Sequence, residues 1–108
     1  MRGLSIVLIF IVLSGCASVA SVGAISRANS NYSKGDYNDT ISIADHALRA
    51  YDYTDEEKAE LLFLKASSYV KLDDIDAGYA TMRYIADKYP DTEHGYRVLQ
   101  ILNRLNSG

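Results

Sequence analysis

From residue 25 onward the apolar positions of this chain recur at helical spacing, and no stretch alternates as a half-buried strand would. Ile25, Ala28 and Tyr32 mark a short first helix that breaks at Ser33-Lys34-Gly35. Gly35 suits the left-handed position past a helix end and Asp36 the N-cap of the next helix. There Tyr37, Ile41, Ala44, Leu48 and Tyr51 step by threes and fours. Thr54-Asp55-Glu56-Glu57 is a capping box with an acidic first turn, so a third helix starts here, with a stripe of Leu62, Ala66 and Tyr69 flanked by Phe63 and Val70. Leu72-Asp73-Asp74 ends it and caps a fourth, marked by Ile75, Gly78, Tyr79, Met82, Ile85, Ala86 and Tyr89 and stopped by Pro90. Asp91 or Thr92 caps a last helix with the apolar face Val98, Leu99, Leu102 and Leu105. The expected fold class is all-α.

The amino terminus follows a different rule. Met1 and Arg2 give a positive start, Leu4 to Leu13 (LSIVLIFIVL) an apolar run of ten, and small residues then lead to Cys16, the pattern of a secretory signal. A helix needs about 20 apolar residues to cross a hydrocarbon core, so this run is too short for a spanning anchor. Leu13-Ser14-Gly15-Cys16 resembles the bacterial lipobox. That resemblance implies a diacylglyceryl thioether on Cys16 and cleavage before it. The alternative is an ordinary secreted protein with a free thiol, which leaves the only cysteine without a use. Ala17 and Ser18 rather than Asp follow the cysteine, and by the sorting rule of enterobacterial-type lipoproteins this implies the outer membrane. The expected layout is a cleaved signal peptide over 1–15, the lipidated cysteine and a short linker over 16–23, a helical domain over 24–105 and a tail over 106–108.

The two inner turns carry a second resemblance. Tyr32-Ser33-Lys34-Gly35-Asp36-Tyr37 and Ser68-Tyr69-Val70-Lys71-Leu72-Asp73-Asp74-Ile75 are similar to the turn between the paired helices of a tetratricopeptide repeat (TPR). The resemblance covers roughly residues 21 to 90. It places the small residue of the second helix's crossing on Thr40 and Gly78, the next packing position on Ala47 and Ile85, the closely packed small position on Ala66 and the terminating proline on Pro90. Tyr89-Pro90-Asp91-Thr92 resembles a segment of repeat lipoproteins that assist outer-membrane assembly. There are departures: Gly35 and Asp73 are 38 residues apart rather than about 34, the first repeat lacks its proline, Asp73 replaces the turn glycine, and Arg27 and Lys65 stand where leucine is common. The extra length is expected in a loop at Ala50 to Tyr53. The implied architecture is a short α-solenoid of two TPR-like helix pairs and a C-terminal closing helix.

Such pairs line a concave face with the first helix of each pair. By resemblance the lining falls on Ile25, Asn29, Tyr32 and Ser33, then Glu60, Phe63, Ser67, Val70 and Lys71. The family's carboxylate clamp needs Lys, Asn and Arg at these places, and only Asn29 and Lys71 are present, so a terminal-carboxylate ligand is rejected. A candidate groove of Ile25, Asn29, Tyr32, Phe63, Ser67, Val70 and Lys71 suits an amphipathic helix or extended apolar segment of a protein partner. Equally, the same side chains suit cover by Val98 to Leu105 or by another subunit.

Composition narrows the functional classes. The 108 residues carry 11 basic and 14 acidic side chains, a formal charge of −3, with no cluster of lysine and arginine to meet a phosphate backbone. This argues against nucleic acid. The two histidines, His46 and His94, fall in different helices without ligand spacing and read as solvated surface residues. Asp73, Asp74 and Asp76 resemble the start of a calcium loop, but Tyr84 or Ile85 falls where its bidentate acid belongs, and capping explains them better. Asp52, Asp55, Glu56, Glu57 and Glu60 are accounted for mostly by capping and the helix dipole. Tyr51, Tyr53, Tyr84 and Tyr96 are candidate interface anchors or inter-repeat packing. Without a phosphate loop, nucleophile elbow or paired-acid motif, no enzyme, no metal and no cofactor beyond the lipid on Cys16 is expected.

The expected role is therefore a lipid-anchored adaptor or assembly factor for an outer-membrane machine (secretin, barrel, pilus or polysaccharide export), pilotin-like by resemblance. The alternatives are a constant structural subunit of an envelope complex and, further off, an activator of a cell-wall enzyme. Repeat arrays normally need about three units, and the first pair shows no cap of its own, so self-association or stabilisation by a partner is expected as well.

Overall fold

The computed structural model describes residues 19–107, and every regular element among them is an α-helix. A first helix, α1, occupies residues 19–34, followed by α2 (Tyr37–Ala50), α3 (Asp55–Lys71), α4 (Ile75–Lys88) and α5 (Glu93–Ser107). No helix among the described residues is long and apolar enough to cross a membrane.

The caps follow the sequence closely, with one exception. Thr54 Oγ1 accepts from the Glu57 amide at 3.3 Å while Glu57 Oε1 accepts from the Thr54 amide at 2.9 Å, the full capping box of α3. Asp74 Oδ1 accepts from the Ala77 amide at 3.4 Å to start α4. Thr92 Oγ1 accepts from the Gly95 amide at 2.9 Å and donates to the Tyr89 carbonyl at 2.7 Å, so Thr92, not Asp91, caps α5. Asp36 occupies the N-cap of α2, yet its side chain makes no capping bond; Thr40 Oγ1 donates back to the Asp36 carbonyl at 2.9 Å instead.

Both inner turns have one geometry. The Gly35 amide donates to the Tyr32 carbonyl and the Asp36 amide to the Asn31 carbonyl; the Asp73 amide donates to the Val70 carbonyl and the Asp74 amide to the Tyr69 carbonyl. This is the Schellman pairing, which needs a left-handed residue after the helix end. Gly35 (φ 82°) and Asp73 (φ 67°) supply it, the aspartate at some conformational cost. The 38-residue spacing is not a loop insertion. The link 51–54 has four residues, as does 89–92, whereas α3 has 17 residues against 14 in each of α2 and α4. About one extra helical turn in α3 accounts for the difference.

The core divides into two clusters with α3 between them. Ala24 and Ala28 of α1, Ala44 and Ala47 of α2, and Tyr53 pack against Leu61 and Leu64. On its other side α3 gives Ala59, Leu62 and Ala66 to Met82, Ile85 and Val98 of α4 and α5. Thr40 and Gly78 are both buried. A Cβ on Gly78 would lie 2.6 Å from Val70 Cγ2 and 3.1 Å from the Ala66 carbonyl, so α3 and α4 touch backbone to backbone there.

Three expectations change. Residues 19–23 belong to α1, not to a linker: the Tyr53 hydroxyl donates to the Ser21 carbonyl at 2.7 Å and Ala24 is fully buried. The first pair also has an outward side of its own, because Ser26, Asn29, Ser30 and Ser33 of α1 are exposed and polar. On α5, Val98 is buried and Leu102 half-buried, but Leu99 and Leu105 are 38% and 48% exposed, with no described helix packed over them. The lipobox residues Leu13, Ser14, Gly15 and Cys16 lie outside the described residues.

A candidate protein-binding face on the first, third and fifth helices

The helices α1, α3 and α5 lie side by side and run the same way. Tyr53, just before α3, bonds to Ser21 at the start of α1, and Glu56 Oε2 at the start of α3 accepts from the Glu93 amide at the start of α5 at 3.3 Å. One turn further along α3, Glu60 Oε2 accepts from Asn29 Nδ2 at 3.4 Å, and Asn29 Nδ2 is also shared with the Ile25 carbonyl at 3.0 Å. These contacts define a face on which α3 contributes Glu56, Glu60, Phe63, Ser67 and Lys71, residues three or four apart and so on one side of the helix.

Phe63 is the apolar centre of that face. Its ring packs on the second core cluster and stays half-buried, with the His94 ring centroid 5.0 Å away at a 48° tilt and the Arg97 guanidinium 5.5 Å from its centroid. The guanidinium–ring contact is the attractive cation–π arrangement, and Arg97, exposed, also pairs with Glu93 at 3.6 Å. His94 is thus not the solvated residue that its sequence context implied. It is half-buried, its Nδ1 is inaccessible, and no hydrogen-bond partner for that nitrogen is present among the described residues.

The seven residues assigned to a groove separate into two groups. Asn29, Phe63, Ser67 and Lys71 stay on the open face, Ser67 half-buried and Lys71 exposed in the last turn of α3. Ile25 and Tyr32 are half-buried and pack on the first core cluster, Tyr32 with its ring edge-on to Tyr37 at 5.5 Å. Val70 packs on the second cluster, against the position of Gly78, and belongs to the α3–α4 junction. The face is consequently shallower and more polar than seven converging residues would make it.

The opposite side of α3 carries an ion pair beside an open cavity. Lys65, two residues and about 200° around the helix from Ser67, forms a 2.6 Å ion pair with Asp45 of α2 and lies 6.0 Å from the Tyr69 ring centroid. Leu62, Lys65, Ala80, Thr81 and Tyr84 line an open cavity of about 380 Å³ there, between α3 and α4. It holds no constellation of acid, base and nucleophile. Among the described residues no group of three or more His, Cys, Asp and Glu stands together as a metal-ligand set.

Two phenols titrate above their usual 10.0. Burial is the main cause for both; Tyr51 and Glu57 add to it at Tyr53 against an opposing Arg27, and Tyr84 adds to it at Tyr89, 6.3 Å away between ring centroids. Both side chains hold inter-helix junctions, and neither lies on the open face. No protein family, curated protein or solved structure matches the chain.

Proposed function

We propose that this chain is a lipid-anchored protein-binding module of the bacterial envelope, an adaptor or assembly factor whose partner lies along the face of α1, α3 and α5. The observation that carries this reading is the strip Glu60–Phe63–Ser67–Lys71: α3 is packed on two sides by the other helices, yet this strip stays open and has a half-buried aromatic residue at its centre. A half-buried aromatic ring is the type of residue that dominates protein interfaces. The mixed lining, from Glu60 to Lys71, suits an amphipathic helix or extended segment with a few apolar anchors. Two further points support a TPR-like reading of the helix pairs: the matching Schellman turns at Gly35 and Asp73 and the buried small residues Thr40, Ala66 and Gly78.

Anchoring rests on the Leu13-Ser14-Gly15-Cys16 motif, with the outer membrane favoured by Ala17 and Ser18 and the periplasm as the compartment of the domain. A myristoyl chain alone binds only marginally, whereas two or more chains on one cysteine hold stably. The test is metabolic labelling with a fatty-acid analogue: the wild-type chain is expected to be labelled and the Cys16→Ser variant unlabelled and unprocessed. A wild-type chain that is soluble and unlabelled removes the anchor from this reading. A second reading, a constant subunit of an envelope complex, draws on Leu99 and Leu105, which leave α5 with an uncovered apolar edge. A partner that co-purifies at fixed stoichiometry and survives Phe63→Ala would favour it.

A further inference from the structure

We infer that the start of α1 is a membrane-contacting surface, with Val19 and Val22 in the headgroup region of the bilayer and the domain standing upright on it. The inference rests on the proposed acylation of Cys16 and adds an orientation to it. Three observations carry it. First, α1 is already helical at residue 19, so only Ala17 and Ser18 separate the candidate lipid site from the folded domain. At no more than about 3.5 Å per residue, the Cα of Val19 lies within about 10 Å of that of Cys16. The interfacial layer on each side of a bilayer is about 5–8 Å deep, so the first turn has little room to leave it.

Second, the outward side of α1 changes character along its length. Val19 and Val22 are 71% and 60% exposed, whereas Ser26, Asn29, Ser30 and Ser33 continue the same side with polar groups. A helix that lay flat on the membrane would carry its apolar stripe along its full length. This one is apolar only where it begins, which fits end-on contact.

Third, the start of α1 is fixed to the rest of the domain. The Tyr53 hydroxyl holds the Ser21 carbonyl and Ala24 is buried against α2 and α3, so the first turn cannot tilt into the membrane without carrying the domain with it. The same contact brings Asp52, Asp55 and Glu56, all exposed, to this end of the molecule. Carboxylates are costly to take out of water and set a limit on depth. The partner surface is therefore a bilayer with net-neutral headgroups, entered to headgroup depth and not into the hydrocarbon core. The open face of α1, α3 and α5 then runs away from the membrane, with the Schellman turns at its far end. Gly35 lies 16 residues beyond Val19, about 24 Å along a helix.

The chain has no tryptophan, so single tryptophans report position directly. Full-length lipidated protein carrying Val19→Trp, Val22→Trp, Ser33→Trp or Lys71→Trp is reconstituted in phosphatidylcholine–phosphatidylethanolamine vesicles containing brominated lipid. Emission at 19 and 22 is expected to shift to the blue and fall at least about twofold, as for interfacial tryptophan, with no loss at 33 or 71. Inserting a flexible Gly-Ser segment between Ser18 and Val19 is expected to abolish the quenching while the lipid remains. Acylated protein with no quenching at 19 and 22, or with equal quenching at 33 and 71, overturns the orientation and leaves the anchor standing. Absence of acyl chains by mass spectrometry overturns both.

Discussion

Gly95 is the position at which a single methyl group tests the description of the fold most severely. A Cβ there would fall on the Tyr89 carbonyl oxygen, 2.9 Å from the Tyr89 carbonyl carbon and 3.0 Å from Thr92 Oγ1. The Tyr89 carbonyl accepts from the Thr92 amide and hydroxyl, and the same hydroxyl accepts from the Gly95 amide. Gly95→Ala therefore displaces the carbonyl around which the α4–α5 turn is tied. Loss of the Thr92 cap costs about 1 kcal/mol, and overpacking against backbone that cannot rotate away costs about 1–3 kcal/mol. The gain in helix propensity offsets up to about 1 kcal/mol. A net loss of roughly 1–3 kcal/mol remains, which in a domain of this size lowers the melting temperature by about 5–20 °C. Gly23→Ala is the control: its Cβ would meet only Arg27 Nη1 at 3.9 Å, and a gain of about 0.5–1 kcal/mol is expected. Both variants of residues 17–108, without lipid, are compared by urea and thermal denaturation followed by circular dichroism. If Gly95→Ala is as stable as wild type, or is stabilised like Gly23→Ala, the α4–α5 turn does not have this geometry.

Other expectations are as direct. Tyr53→Phe removes the hydrogen bond to Ser21 and should cost about 1 kcal/mol, with faster amide exchange confined to α1; uniform exchange across the domain would contradict it. The folded state binds the protons of Tyr53 and Tyr89 more tightly than the unfolded chain does, so their contribution to stability is complete below the usual 10.0 and is lost as pH rises from there through the raised folded values. A melting temperature that falls above that pH, less steeply in Tyr53→Phe, is the expected result. Ser68 is fully buried and its hydroxyl has no partner among the described residues, so Ser68→Ala should stabilise by up to about 1 kcal/mol; a destabilised variant would mean that the hydroxyl is satisfied. Phe63→Ala should weaken partner capture by about 2 kcal/mol with helicity retained, and collapse of helicity would make Phe63 a core residue. The lipid-free domain should associate with itself through the exposed Leu99 and Leu105 edge of α5 at high concentration; a melting temperature independent of concentration would show that α5 closes the stack unaided.

How far the sequence reveals this fold depends on what each helix buries. The starts and stops are legible because their chemistry is local: the Thr54–Glu57 box, Gly35 and Pro90 each act within a few residues. The length of α1 is not legible, because its buried residues are Ala24 and Ala28, which give no amphipathic signal against neighbours such as Val19 and Val22. In α3 the periodic stripe marks Leu62 and Ala66 but not Leu61, Leu64 and Ser68, which are also buried, since a helix buried on two sides has no single stripe. The run Leu61-Leu62-Phe63-Leu64 is the available clue. Val70 and Phe63 are adjacent to the same stripe in sequence, and only the positions of Gly78 and His94 send one to the core and leave the other on the face. His94 itself carries no sequence signal, because its environment is made by Phe63, 31 residues away.

The central claim is that a protein partner lies on the strip of α3 between α1 and α5. A photo-crosslinking residue placed in living cells at Ser67, on that strip, and at Ser42, exposed on α2, tests it most directly. An adduct of one defined mass is expected from position 67, lost on Phe63→Ala, and none from 42. Adducts from 42 alone, or from both positions irrespective of Phe63, would contradict it.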